Sequence, residues 1–294
     1  MIGLIYFVVI VLANTVGAIS GMGGGVLIKP ILDLIGAHSV AGISFYSTVA
    51  VFTMSIVSTV RQVSSGKSLN WQIVGWVSSG AVVGGVVGNI VFEVFLQLFE
   101  NEKHVQLIQI FLTVLTLVFA FFYTKHHQPK FHLTSWTWYL ICGVVLGFLA
   151  SFLGIGGGPV NVSLLMLMFA LPIKEATLYS LSTIFFSQLA KLVTIALTSS
   201  FMRFDLSMLF YVIPAAVIGG LWGARFSRIL SPKKVTFIFQ AIVIVVLLIN
   251  LYNAFVILQT LEGSGFKQVK ITEKSFFKYN QLKCRNIIMC EKFL

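Results

Sequence analysis

Carboxylates are scarce in this chain. Asp and Glu total nine in 294 residues, and Asp33, Glu93, Glu100, Glu102, Glu175, Asp205, Glu262, Glu273 and Glu291 all fall near the ends of apolar runs, in connections or in the C-terminal tail. No acid sits in the middle of an apolar run, so the sequence argues against a carboxylate proton relay, a hard-cation cage and a hydrolase built on paired acids. Anion transport is untouched by this lack. Three cysteines, Cys142, Cys284 and Cys290, have no regular spacing and imply neither disulfides nor a metal centre. The five histidines lie in connections or at run ends, with no Ser/His dyad in register, so no enzyme is expected.

Charged residues of both signs make up only 10% of the chain against 57% hydrophobic, far from the soluble average. A spanning helix needs about 20 mostly apolar residues. Such runs occur at about 3–20, 40–60, 71–97, 105–123, 136–153, 175–198, 206–228 and 235–258. These predict an all-α, polytopic transmembrane bundle of about eight spanning helices. Two further apolar pieces, 26–36 and 160–171, are half a bilayer long at about 1.5 Å per residue and read as half-helices. The net charge of +11 comes from Lys and Arg in short connections and in the last 30 residues, which fits topology signals rather than a nucleic-acid footprint.

The sequence also repeats itself. Gly21-Met22-Gly23-Gly24-Gly25 returns as Gly154-Ile155-Gly156-Gly157-Gly158, an offset of 133 that also relates Tyr46, Ser47 and Phe52 to Tyr179, Ser180 and Phe185. Gly84-Gly85-x-x-Gly88 returns as Gly219-Gly220-x-x-Gly223 at an offset of 135, as Asn70 returns as Asp205. Two homologous repeats are expected, 1–124 and 136–258, joined by a polar linker at 125–135 and followed by a basic polar tail at 259–294. Met1 to Ile19 resembles a signal peptide, but the run before the second glycine motif, Ile141 to Leu153, has the same character and argues for a retained span. His126 and His127 of the linker lack a third ligand and read as a solvated loop. With four crossings per half, the connections 61–70, 125–135 and 199–205 and the tail share one face, cytoplasmic by its basic residues, while Arg225, Arg228, Lys233 and Lys234 fall on the other. Five crossings per half would invert the repeats.

Each glycine costs a helix interior about 1 kcal/mol relative to alanine, so four in five positions break a span. A break in the bilayer is tolerated where it is packed in protein or lines a cavity. Half-helix N-termini there present free amides and a positive dipole end to an anion. Gly21, Gly23, Gly24, Gly25, Gly154, Gly156, Gly157 and Gly158 are therefore candidate substrate-binding positions. Gly80, Gly84 and Gly88, like Ala215, Gly219 and Gly223, recur every four residues and read as packing seams instead. Lys191, mid-run with Gln188 one turn before it, either offers a buried cation to an anion or snorkels to the interface or contacts carbonyls, and Lys29 either plays a similar part or lies near the membrane surface. Asn161, Ser47 and Ser180 are candidate hydrogen-bonding partners, although such groups often bond to their own helix.

Through Gly17-Ala18-Ile19-Ser20-Gly21-Met22-Gly23-Gly24-Gly25 and Gly154-Ile155-Gly156-Gly157-Gly158-Pro159 the sequence resembles the sulfite exporter TauE/SafE family of permeases over about residues 3–257. The resemblance implies a multi-pass plasma-membrane transporter for small sulfur-containing anions such as sulfite or organosulfonates. The family often carries a proline a few residues after each motif, matched here by Pro30, whereas the second half has Asn161-Val162-Ser163. The expected partners are a small anionic substrate and the lipid bilayer, with no cofactor, metal or nucleic acid; a homo-oligomer is compatible with this organisation. The alternative is a membrane scaffold or receptor subunit whose glycines serve helix packing alone.

Overall fold

The structure, a computed structural model, describes residues 2–64, 70–125, 131–198 and 204–291, with only the backbone course given for 63 and 262–291. Linker residues 126–130 with His126 and His127, and the side chains of Cys284, Cys290 and the basic tail, lie outside the described residues. The described elements are α1 (Ile2–Ser20), α2 (Gly25–Ile35), α3 (Val40–Val63), α4 (Trp71–Leu98), α5 (Glu102–Lys125), α6 (Trp136–Phe152), α7 (Pro159–Phe169), α8 (Ile173–Thr198), a short 3-10 turn (Leu206–Met208), α9 (Leu209–Ile229) and α10 (Pro232–Glu291). No strand occurs among the described residues. The chain forms two compact units, 1–251 and 252–294; the second holds the later part of α10.

Among the described residues, seven helices are long and apolar enough to cross a membrane, namely α1, α3, α4, α5, α8, the stretch Leu206–Ile229 and Pro232–Leu261. The eighth expected span, α6, has 17 residues and falls short of them. Local chemistry sets the helix ends. Ser39 accepts from the Gly42 amide at 3.1 Å ahead of α3, and Asn70 accepts from the Gln72 amide at 3.0 Å ahead of α4. Asp205, the counterpart of Asn70, caps the 3-10 turn through the Ser207 amide at 3.0 Å. Gly36 closes α2 with φ 64°, and Pro159 opens α7 at the first turn, where its missing N–H costs nothing.

The chain folds back on itself after α1. Gly24 lies against Asn14 and Gly17 of α1, while His38, just beyond α2, meets the Tyr6 hydroxyl at 2.8 Å. Thus α2 returns to the face where α1 began, and each half contributes a hairpin followed by three long helices. The four-crossing arrangement gives way to the odd one. The third helices of the two halves run antiparallel, with Phe52 stacked on Phe185 at 5.4 Å and Lys191 bonded to Ser44. Cross-links at the two faces are reciprocal: the Tyr46 hydroxyl donates to the Asp205 carbonyl at 3.1 Å, and the Asn70 amide donates to the Tyr179 hydroxyl at 3.0 Å.

The first helix of each half packs on the fourth of the other, α6 along α4 and α1 along α9. The glycine stripes make this approach close. A Cβ at Gly80, Gly84 or Gly88 would meet the carbonyl oxygens of Leu140, Val144 or Phe148 on α6, and one at Gly143 or Gly147 would meet those of Val77 or Ala81 on α4. Gly219 and Gly223 face the Val11 and Thr15 carbonyls of α1 in the same way. These stripes are seams, as glycine spacing in membrane helices implies.

The hairpins also redistribute the connections. Residues 36–39, 99–101 and 204–208 share one face, tied by the Val40 amide donating to Glu102 at 3.0 Å and by the Tyr46–Asp205 bond. Residues 131–135 join the end of α7 on the other face, where the Phe131 amide donates to the Leu167 carbonyl at 2.8 Å. Arg61, Arg225 and Arg228 line one recess there, so the basic residues that four crossings would have split lie together. The positive-inside rule predicts that this second face is the cytoplasmic one. In a chain whose native cysteines are replaced by serine, single cysteines at Thr134 and Ser231 should react with an impermeant thiol reagent only after cells are permeabilised, and one at Ser207 in intact cells. Labelling of the Thr134 and Ser207 positions from the same side would refute the hairpins.

Candidate functional site

The two breaks need glycine for their backbone. Gly21 and Gly23 have φ of 75° and 77°, and Gly154, Gly156 and Gly157 have φ of 67°, 66° and 129°, a region other L-residues enter only at a cost of about 1–2 kcal/mol. In the first break the Gly21 amide still donates to Gly17, and the next backbone donors are Leu27 and Ile28, both to the Gly24 carbonyl. In the second, Gly154 and Gly156 donate to Ser151 and Ala150, and Asn161 donates to Gly158. Among the described residues, no backbone carbonyl accepts from the amides of Gly23, Gly24, Gly25, Gly157 or Gly158. These are the donors a half-helix N-terminus leaves over.

The breaks meet. A Cβ at Gly25 would run into the Ile155 carbonyl, and one at Gly23 would lie 3.6 Å from the Gly156 carbonyl oxygen. Val51 of α3 touches Gly23 and Gly156, and Ile184 of α8 touches Gly23 and Gly157. The antiparallel pair α3 and α8 thus clamps both breaks about midway along its length. Every glycine of the two motifs is buried.

Polar side chains surround this junction. Lys191 is 1% exposed, and its Nζ donates to Ser44 Oγ at 2.8 Å and to the Ser151 carbonyl at 2.9 Å, with the Phe92 ring centroid 5.4 Å away. Ser44 in turn borders Gly154, as does the Lys29 side chain. Lys29 is paired with Asp33 one turn on, at 2.9 Å with both side chains 4% exposed, so its charge is offset locally. Among the described residues, Lys191 has no carboxylate within ion-pair distance. A buried ammonium held only by a hydroxyl and a carbonyl keeps unspent attraction for an anion.

Several buried polar atoms here have no hydrogen-bond partner: Asn14 Oδ1, Ser47 Oγ, Ser151 Oγ, Gln188 Oε1 and both side-chain atoms of Asn161. Ser47 Oγ would lie 2.8 Å from a Cβ on Gly25, and Asn161 Nδ2 3.4 Å from one on Gly157. Unpartnered polar atoms cost about 1–3 kcal/mol each when buried, so a cluster at one point marks a place built for something else to bond. Ser180 differs from Ser47. Its hydroxyl donates to the Gly21 carbonyl at 2.6 Å and so holds the bend of the first break. Sequence reasoning missed Ser44 and Ser151, although Ser44 carries a signal, being a hydroxyl whose counterpart at an offset of 133 is Thr177, which borders Gly21 as Ser44 borders Gly154. Ser151 acts through its carbonyl, which any residue would supply.

Comparison with known proteins bears on the same stretch of chain. It is 26% identical over 253 residues to a probable membrane transporter protein of Methanocaldococcus jannaschii, covering 79% of this chain and 88% of that protein. It is 24% identical over 255 residues to the probable membrane transporter protein YunE of Bacillus subtilis, covering 80% and 92%. No solved structure matches. The family model described as sulfite exporter TauE/SafE matches residues 6–251, which hold both glycine breaks and the cross-packed helices around them, and the chain therefore belongs to the TauE/SafE family of multi-pass membrane transporters.

Proposed function

We propose that the protein carries a small oxyanion, sulfite or an organosulfonate, through a site formed where the two glycine breaks meet. The observation that carries this reading is the meeting of the two breaks, with the unpartnered Ser47 beside Gly25, the unpartnered Asn161 beside Gly157, and Ser44, which holds the Lys191 ammonium, beside Gly154. Unbonded amides at half-helix ends and a neighbouring ammonium supply donors and positive charge, which suit an anion. Gly21, Gly23, Gly24, Gly25, Gly154, Gly156 and Gly157 supply the close backbone approach, Gly158 supplies a free amide, and Gln188 lies one turn before Lys191 on α8. The two halves, inverted copies of one unit in this reading, rock about the junction and open it to each face in turn. All of these residues are buried, so in this reading substrate reaches them only through that motion.

A second reading has the breaks serving packing alone, in a scaffold or receptor subunit. The contact of Gly25 with the Ile155 carbonyl favours it, since the two backbones already touch. Flux separates the two. The full-length protein reconstituted in liposomes should move sulfite or an alkanesulfonate saturably, measured with and without a proton gradient, and faster than chloride. Failure to move any sulfur oxyanion under either condition would overturn the transport reading of this site.

A further inference from the structure

Away from the glycine junction, the second face carries a recess of about 450 Å³ lined by Arg61, Arg225, Arg228 and Ile229. Three guanidiniums line it and, among the described residues, no carboxylate does. Arg61 occupies the last turn of α3 and Arg228 the last turn of α9, two helices fastened there by the Ser58 hydroxyl donating to the Gly220 carbonyl at 3.2 Å. The three side chains therefore converge from neighbouring helix ends onto one opening. Guanidinium forks match the oxygens of phosphate, and three in one place lower the competition from water.

What borders the recess identifies the carrier of that phosphate. On α9 the outward side chains preceding it are Leu221, Trp222 and Phe226, at 42%, 53% and 46% exposure, and on α3 they are Ile56 and Val60. These apolar groups lie within about two turns of the arginines along helices that cross the bilayer, so they face acyl chains when the arginines reach headgroup level. We propose that the recess binds the phosphate of an anionic phospholipid headgroup, with the acyl chains lying along Trp222 and Phe226. The site is separate from the one proposed for the transported anion.

The test uses the full-length protein in detergent with added lipid, read by native mass spectrometry, with phosphatidylglycerol and phosphatidylcholine as probes. Phosphatidylglycerol should be retained about tenfold or more over phosphatidylcholine, since clustered basic residues near a membrane surface favour anionic lipid. The R61Q/R225Q/R228Q variant should bring retention to the phosphatidylcholine level, while the matching triple lysine variant keeps most of it with an unchanged melting temperature. Equal retention of the two lipids, or full retention by the glutamine variant, would overturn the proposal. Displacement of phosphatidylglycerol by millimolar inorganic phosphate would overturn it as well, by making the site one for a free oxyanion.

Discussion

Replacement of Lys191 by Met should lower sulfur-oxyanion flux by about 10- to 100-fold while leaving the purified protein as heat-stable as the parent, or more so. The flux estimate follows from a charge-assisted hydrogen bond, worth about 1.5–3 kcal/mol, lost from the substrate. The stability estimate follows from the burial of the ammonium. Its Nζ is bonded to Ser44 Oγ and the Ser151 carbonyl but to no carboxylate, so the folded protein carries the cost of desolvating a charge with little direct compensation. Met fills a similar volume and packs well against the Phe92 ring, which now lies 5.4 Å from the ammonium. Ser44 can then bond the carbonyl one turn back, as Thr48 does to Ser44 itself at 2.7 Å. A purely structural lysine would behave differently, losing melting temperature together with flux. Proteoliposome flux and thermal unfolding on the same preparation decide it. Parental flux in K191M, or a fall in melting temperature large enough to explain the lost flux, would remove Lys191 from the site.

Lys191 also shows where sequence reading stops. Its position mid-run within apolar sequence marked it as costly and therefore interesting, but the partner it found, Ser44, is 147 residues away on another helix. Nothing in a periodic pattern encodes that pairing. The pairing of Lys29 with Asp33 is local, four residues apart on one helix, and was open to inspection in the sequence. Helix boundaries were legible for the same reason. The half-length pieces expected at 26–36 and 160–171 appear as Gly25–Ile35 and Pro159–Phe169, because glycine runs and turn residues flank them on both sides.

Direction through the membrane was not legible. An apolar run of 19 residues has the same composition whether the chain leaves on the far side or turns back, and α1 turns back only because Gly21 and Gly23 take positive φ and Gly24 can lie against Asn14. The same limit explains Ser47 and Ser180. They occupy matching positions, yet Ser180 bonds the Gly21 carbonyl while Ser47 has no partner. A pattern that treats the halves alike assigns both the same part; the fold gives one a structural bond and leaves the other for a ligand in the transport reading.

Gly25→Ala and Gly158→Ala should differ sharply although both add one methyl group to a break. At Gly25 the new Cβ meets the Ile155 carbonyl and lies 2.8 Å from Ser47 Oγ, so the opposite backbone has to move. Overpacking a filled interior costs about 1–3 kcal/mol. Here it also parts the two breaks, so G25A should show a lower melting temperature and flux at background. At Gly158 the backbone is extended, with φ −168°, which any residue adopts, and the new Cβ meets only the flexible Ile155 Cδ1 at 3.2 Å. Its amide remains a donor. G158A should keep flux within about twofold of the parent, since a small accommodated core change costs less than about 1.5 kcal/mol and leaves the site's donors in place. Thermal unfolding in detergent and flux in liposomes test both variants side by side. Equal losses at the two positions, or none at either, would mean that contact between the breaks does not govern function. A loss confined to Gly25 would tie transport to the point where one broken helix touches the other.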